Sequence, residues 1–255
     1  MKKKIKNKKK ILFAAIIEAR MGSSRLPGKV MMPICKLPSI HYLVNRLKFV
    51  DELDDIIVAT STSANDDKLV DYLEKNRINY FRGNEENVLD RVYKTAKKNK
   101  VTNIVQITGD CPLIDPRLVS QAIKIYSENK ADYVSNSNIR TYPDGMDVAV
   151  FSTNSLKTVS LSTTNKDDLE HVTLYYKKNP KKFKLLNIMA PSDHHIPDLG
   201  LTLDEALDYR LICSIANKLH SNKKPFTLDE ILDFLSSNKK IMSINKKVKR
   251  KKVKI

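Results

Sequence analysis

Three short apolar runs, ILFAAII at 11–17, DIIVAT at 55–60 and NIVQIT at 103–108, end at polar or turn-forming residues and are separated by segments with helical spacing. Runs of this length suit strands buried on both faces, as in a parallel sheet covered by helices on each side. The spacing predicts helices over 39–50, 66–77, 85–98, 116–129, 153–161, 167–178, 204–220 and 227–236. Further strands are expected at 79–82, 131–135, 183–189 and 199–203, and the Pro-Asp-Gly turn in TYPDGMDVAVF (141–151) predicts an antiparallel strand. Asp115 and Pro116 read as N-cap and first helical position, and Glu85 with Glu86 as an acidic helix start. Repeated β–α alternation with right-handed crossovers gives a three-layer α/β/α domain with a mostly parallel sheet. No internal repeat or linker interrupts 11–238, so one domain is expected there.

In such sheets ligands bind at the carboxyl ends of the strands. The loop after the first strand, EARMGSSRLPGK (18–29), is therefore the first place to look. It resembles a phosphate-binding Walker loop, but five residues separate Gly22 from Gly28 and Val30 stands where Ser or Thr would hold a metal. No G-x-G-x-x-G occurs, which disfavours a dinucleotide fold. Arg20 and Arg25 can fork onto phosphate oxygens, Lys29 adds a point charge, and Gly22 and Gly28 let the backbone approach a ligand. The alternative is a polar loop whose arginines pair with carboxylates.

Carboxylates follow the other strands. Asp110, in the sequence Gly-Asp-Cys-Pro after NIVQIT, is a candidate ligand for a hard divalent ion. Asp204, after Leu-Thr-Leu, is either a second ligand or a helix N-cap, and Asp115 reads as a cap. His194 and His195, with Asp193 and Asp198, occupy a proline-bounded loop without a third ligand at motif spacing, so a surface loop is expected. Cys111 has no evident histidine partner and is not expected to be a nucleophile.

The formal charge of +17 suggests a nucleic-acid binder until it is located. Residues 1–10 hold seven lysines and 239–255 hold nine Lys or Arg, without an acid in either segment. Removing these sixteen from the 46 basic residues leaves 30 against 29 acidic ones, so 11–238 is close to neutral. The two ends read as basic tails, either solvated or serving an anionic partner such as RNA or a membrane surface. Nucleic-acid binding is expected only through them. Cys35, Cys111 and Cys213 form no C-x-x-C pair and fit a reducing compartment. The lysine-rich start followed by ILFAAII imitates a signal peptide but lacks a cleavage site, and no segment is long and apolar enough to span a bilayer. A cytoplasmic homodimer is expected.

The stretches IIEARMGSSRLPGKV, ITGDCPLID, YPDGMDV, EHVT and LTLDEALDYRLI, in order over 16–212, resemble the cytidylyltransferase superfamily that makes CMP-activated sugars. The likeness is strongest to the spore-coat polysaccharide synthesis type and extends to the KDO and acylneuraminate cytidylyltransferases. It implies a nucleotide-sugar-synthetase-like, Rossmann-like fold and the reaction of CTP with a small acidic sugar to give a CMP-sugar and pyrophosphate. By the resemblance, Arg20, Lys29 and Asp110 are catalytic; Ala19, Arg20, Met21, Gly22, Arg25, Lys29, Arg82 and Asp110 bind the nucleotide; and Asp110 and Asp204 hold Mg²⁺. Arg91, Asp144, Asp147 and His171 fall on the acceptor side. The chain departs from the usual pattern at Glu18, commonly Gln, at Gln106, often Arg, at Ala149, commonly Glu, and at Leu169, commonly Arg. Two further readings are a glycosyltransferase using a nucleotide sugar, which would release no pyrophosphate, and a basic RNA-binding protein with a degenerate nucleotidyltransferase body.

Overall fold

The computed structural model describes residues 11–250. The expectation for the basic segment 1–10 lies outside these residues, as does that for 251–255. The strands are β1 (Ile11–Glu18), β2 (Pro33–Ile34), β3 (Leu37–Pro38), β4 (Asp55–Ser61), β5 (Asn79–Gly83), β6 (Val101–Thr108), β7 (Tyr133–Ser135), β8 (Ala149–Ser152) and β9 (Leu185–Asn187). The helices are α1 (Ser39–Leu47), α2 (Asp67–Lys75), α3 (Val88–Lys98), α4 (Pro116–Glu128), α5 (Thr153–Ser162), α6 (Lys166–Glu170), α7 (Leu174–Lys178), α8 (Ala206–Leu219), α9 (Leu228–Ser237) and α10 (Lys239–Met242). Seven strands form one sheet in the order β5-β4-β1-β6-β8-β7-β9, while β2 and β3 pair as a small hairpin. All sheet neighbours are parallel except those of β8, which runs against both β6 and β7.

The period-2 geometry of β1 explains its apolar continuity. Phe13, Ala15 and Ile17 join a core with side chains of α1, α4, α8 and α9, whereas Ala14 and Ile16 join a second core with side chains of α3, α5 and α7. Each face of the sheet thus carries its own layer of helices. Residues 14 to 18 pair with β4, and residues between 11 and 18 pair with β6, placing the carboxyl ends of these strands side by side.

Several expected elements are shortened where the chain crosses that edge. Of 141–151 only the end is strand. Asn136 holds the preceding loop, donating to the Met146 carbonyl at 2.7 Å and accepting from Val148 N–H at 3.0 Å. The helix expected at 167–178 breaks between α6 and α7, and 199–203 contributes only a bridge between Asp144 and Gly200. Asn87, rather than the acidic pair before it, caps α3 by accepting from Asp90 N–H at 2.8 Å. Asp115 caps α4 as expected and also accepts from Leu228 N–H.

The domain boundary expected at 238 falls before the chain has finished packing. Residues 239–242 form α10, Ile241, Met242 and Ile244 pack on the core, and Asn245 is buried. No helix among the described residues is long and apolar enough to cross a membrane.

Candidate active site

The loop leaving β1 is fixed by its own backbone and by one buried carboxylate. The Met21 carbonyl accepts from the N–H groups of Ser23 and Gly28, each at 2.9 Å. Gly28 has a φ of 72°, the left-handed geometry that glycine adopts without strain, and leads into a short 3₁₀ turn at Lys29–Met31. Met21 N–H donates to Asp66 at 2.7 Å. Asp66 is 1% exposed and also accepts from Thr60 and Ser61 at the end of β4. Burial pushes its pKa up, but the donors from Met21, Ser61 and Thr60 prevail and hold it below the usual range. Among the described residues, the backbone N–H groups of Arg20, Gly22, Ser24 and Arg25 have no hydrogen-bond partner. Arg20 has no carboxylate partner there either. Ala19 is buried beneath the loop, with its N–H on the Ala59 carbonyl, while Gly22 is exposed.

The chain after β6 passes close beneath this loop. Gly109 N–H donates to the Glu18 carbonyl at 2.9 Å, and a Cβ at Gly109 would sit 2.7 Å from that oxygen. This close approach brings Asp110 under Lys29. The Asp110 carbonyl accepts from Leu203 N–H at 2.8 Å, so the segment before α8 is pinned to the same place. Asp204 is not the N-cap of α8, because Glu205 and Asp208 form the reciprocal capping box. Its side chain is thereby available to the site.

Lys29 Nζ lies 2.9 Å from Asp110 Oδ2 and 3.0 Å from Asp204 Oδ1, and Arg25 Nη2 lies 2.9 Å from the same Asp204 oxygen. Burial works against the Lys29 ammonium, but Asp110 and Asp204 outweigh it and raise the Lys29 pKa. Burial likewise disfavours the Asp110 carboxylate, yet Lys29 and the Thr108 hydroxyl hold its pKa below the ordinary value. The pairing of loop cations with carboxylates therefore occurs, between the candidate phosphate ligands and the candidate metal ligands themselves. Two carboxylates, one just after β6 and one in the turn before α8, converge on one cationic atom. Two carboxylates are an oxygen donor set of the kind that suits a hard divalent ion.

Beyond Asp110 a cleft of about 1240 Å³ opens along the sheet edge, lined by Glu18, Gln106, Asp144, Asp147 and His171 among others. Gln106 donates to Glu18 at 2.6 Å. Burial raises the Glu18 pKa to about 7 against Gln106 and Arg91, with Asp110 adding to the rise. Burial and Asp147 raise Asp144 to about 6, opposed by Arg140 and Arg250. Arg140 forks onto Asp147 at 2.7 and 2.6 Å and lies 3.3 Å from Asp144. The two carboxylates expected on the acceptor side therefore differ: Asp147 is clamped and Asp144 is less strongly held.

Two expected binding residues serve the scaffold. Arg82 donates to the carbonyls of Ser61 and Ser63 and pairs with Asp67, all at 2.8 Å. Arg91 is 2% exposed, donates to the carbonyls of Asn84 and Glu85, and does not line the cleft, which corrects its placement among acceptor contacts. A long side chain at the second turn of α3 points under the preceding loop, which position in sequence does not disclose. His194 Nε2–H donates to Asp229 at 2.7 Å, and Asp229 also pairs with Arg117, so this loop is tied to α9. Burial and adjacent Asp110 push the Cys111 thiol pKa well up, consistent with a non-nucleophilic role. Sequence reasoning missed Asp66, Arg140, Lys177 and the C-terminal lining residues Lys239, Lys246 and Arg250. The run of hydroxyl and acidic residues at 60–67 was the available signal for Asp66; nothing local marked the others.

A family model described as cytidylyltransferase matches residues 14–246. The spore coat polysaccharide biosynthesis protein SpsF of Bacillus subtilis (strain 168) is 34% identical over 233 residues, 89% of this chain and 95% of that protein. A 3-deoxy-manno-octulosonate cytidylyltransferase of Geobacter sulfurreducens is 30% identical over 175 residues, 67% of this chain and 64% of its own length. The solved structure of a cytidylyltransferase from Leptospira borgpetersenii superposes with a TM-score of 0.85 at 28% identity, covering 90% of this chain and 96% of that one. With the match spanning the loop after β1, both convergent carboxylates and most of the wall of the cleft, the chain belongs to the cytidylyltransferase family of CTP-dependent nucleotidyltransferases.

Proposed function

We propose that the protein transfers CMP from CTP to a small acidic sugar, releasing pyrophosphate, in surface polysaccharide or glycoconjugate biosynthesis. The observation that carries this reading is the convergence of Lys29, Asp110 and Asp204 between a loop of unpartnered N–H groups and a large cleft. The loop N–H groups with Arg20, Arg25 and Lys29 bind the triphosphate and take up negative charge on the departing pyrophosphate. Asp110 and Asp204 hold a divalent ion, assigned here as Mg²⁺, which when bound neutralises charge on the phosphates.

The acceptor lies in the cleft with an oxygen aimed at the α-phosphorus. That oxygen forms the new P–O bond as the bond to the β-phosphate oxygen breaks, and the hydroxyl proton passes to Asp144. Asp144 suits this task better than Asp147, because its pKa of about 6 leaves it ionised yet basic near neutrality while Arg140 occupies Asp147. Glu18 and Gln106 line the same cleft and contact the acceptor. The enzyme works in the cytoplasm as a homodimer.

Pyrophosphate release measured with CTP, UTP, GTP and ATP, Mg²⁺ and a panel of sugar acids tests the reading. Turnover confined to CTP is expected, with CTP and Mg²⁺ raising the melting temperature more than ATP and Mg²⁺. Equal stabilisation by all four nucleotides, without selective turnover, would overturn it.

A further inference from the structure

After α10 the chain returns to the cleft, where Lys246 and Arg250 line its wall. Asn245 in this segment is 5% exposed and donates to the Gly200 carbonyl at 2.8 Å and to Asp208 Oδ1 at 2.7 Å. Arg250 forks onto the same carboxylate, Nη1 to Oδ2 at 3.0 Å and Nη2 to Oδ1 at 2.7 Å. Its guanidinium lies against Gly200 so closely that a Cβ there would fall 1.8 Å from Nη2.

Asp208 is 0% exposed, and Arg250 is its one cationic partner among the described residues. Asp208 Oδ2 also accepts from the N–H of Glu205 at 2.9 Å and of Asp204 at 3.2 Å. The same buried carboxylate thus grips the backbone that presents Asp204 and is itself gripped by two side chains from the C-terminal segment. Leu203 N–H, one residue earlier, bonds the Asp110 carbonyl at 2.8 Å, so a shift of this turn is felt at both convergent carboxylates.

We propose that Asn245 and Arg250 are positioning residues for the divalent-cation site: they fix Asp208, and Asp208 fixes the turn carrying Asp204. The inference rests on the assignment of Asp204 as a metal ligand under the proposed function. Groups that orient a metal ligand without touching the ion typically change metal affinity about 10–100-fold when removed. A purely structural staple at the same place would lower stability and leave metal dependence alone.

The two roles separate when CTP-induced thermal stabilisation of the full chain is followed against Mn²⁺ or Mg²⁺ concentration, and again in EDTA. Wild type is expected to need the metal for part of its CTP stabilisation. Arg250→Ala should need about tenfold more metal for half of that effect while its stabilisation by CTP in EDTA stays the same. Arg250→Lys should recover only part, because an ammonium cannot fork onto the carboxylate. Asn245→Ala, a milder change, should shift the metal dependence in the same direction and supplies the test if Arg250→Ala does not fold. Wild-type metal dependence in the variants that fold overturns the inference alone. Metal-independent CTP stabilisation in wild type overturns the metal assignment and the inference with it.

Discussion

At the scale of single residues, the site is a set of charges whose values depend on a few neighbours. Asp110→Asn removes a carboxylate that Lys29 and Thr108 keep ionised, and should cut metal-dependent pyrophosphate release by roughly 10²–10³-fold, about 3–4 kcal/mol in the barrier. A melting curve near that of wild type would show that chemistry, not folding, was lost. Glu18 gives a prediction of opposite kind. Its carboxyl pKa is raised from 4.5 to about 7 in the folded chain, so the native state holds a proton that the unfolded chain releases. Its contribution to stability is present below pH 4.5 and is lost as pH rises through 7. Glu18→Gln should remove this loss, gaining up to about 3 kcal/mol relative to wild type at pH 8 and little at pH 4, as read by denaturant unfolding at the two pH values. As the proposed base, Asp144 requires its ionised form to accept a proton, so kcat/KM should fall below about pH 6 and Asp144→Asn should abolish that acid limb along with most activity. That Asp110, Asp204 and Lys29 gather at one edge of the sheet was legible because each follows a run read as a strand, whereas the choice between ligand and helix N-cap for Asp204 was not. Arg91 was misplaced because a buried arginine donating to loop carbonyls has the same sequence context as one facing a ligand.

At the scale of elements, the continuous apolar strands were the most legible feature, since β1, β4 and β6 must be apolar on both faces. Irregular segments over the sheet edge were less so. The alternation after the Pro-Asp-Gly turn reads as strand from Met146 on, but up to Val148 the backbone is held by Asn136, and the turn itself by the bridge from Asp144 to Gly200. Contact between elements also depends on absent atoms. A Cβ at Gly109 would meet the Glu18 carbonyl at 2.7 Å, so Gly109→Ala should force the ends of β1 and β6 apart, costing about 1–3 kcal/mol in denaturant unfolding and raising KM for CTP. Unchanged stability would mean that this edge is more pliable than its geometry indicates.

At the scale of the whole molecule, charge misled and location corrected it. The net +17 is concentrated at the two ends of the sequence, while 11–238 is close to neutral. The C-terminal concentration is in part structural, because Arg250 answers the buried Asp208. Composition could not reveal this, since the lysines around Arg250 resemble a solvated tail and the burial of Asp208 is a property of the folded chain. Ending the chain at Asn238 should therefore destabilise the domain by about 3–5 kcal/mol, the scale for a buried carboxylate deprived of its cation, as a fall in melting temperature would register.

Lys29, seated between Asp110 and Asp204, also gives the resting enzyme an internal counter-ion. Lys29 and Arg25 between them answer both carboxylates. On the proposed assignment of Asp110 and Asp204 as metal ligands, a divalent ion entering alone must compete with an ammonium held at contact distance, whereas a triphosphate offers that ammonium other oxygens. Nucleotide and metal should consequently bind with positive linkage, each tightening the other by the same factor, so that the enzyme selects the metal–nucleotide complex over either component alone.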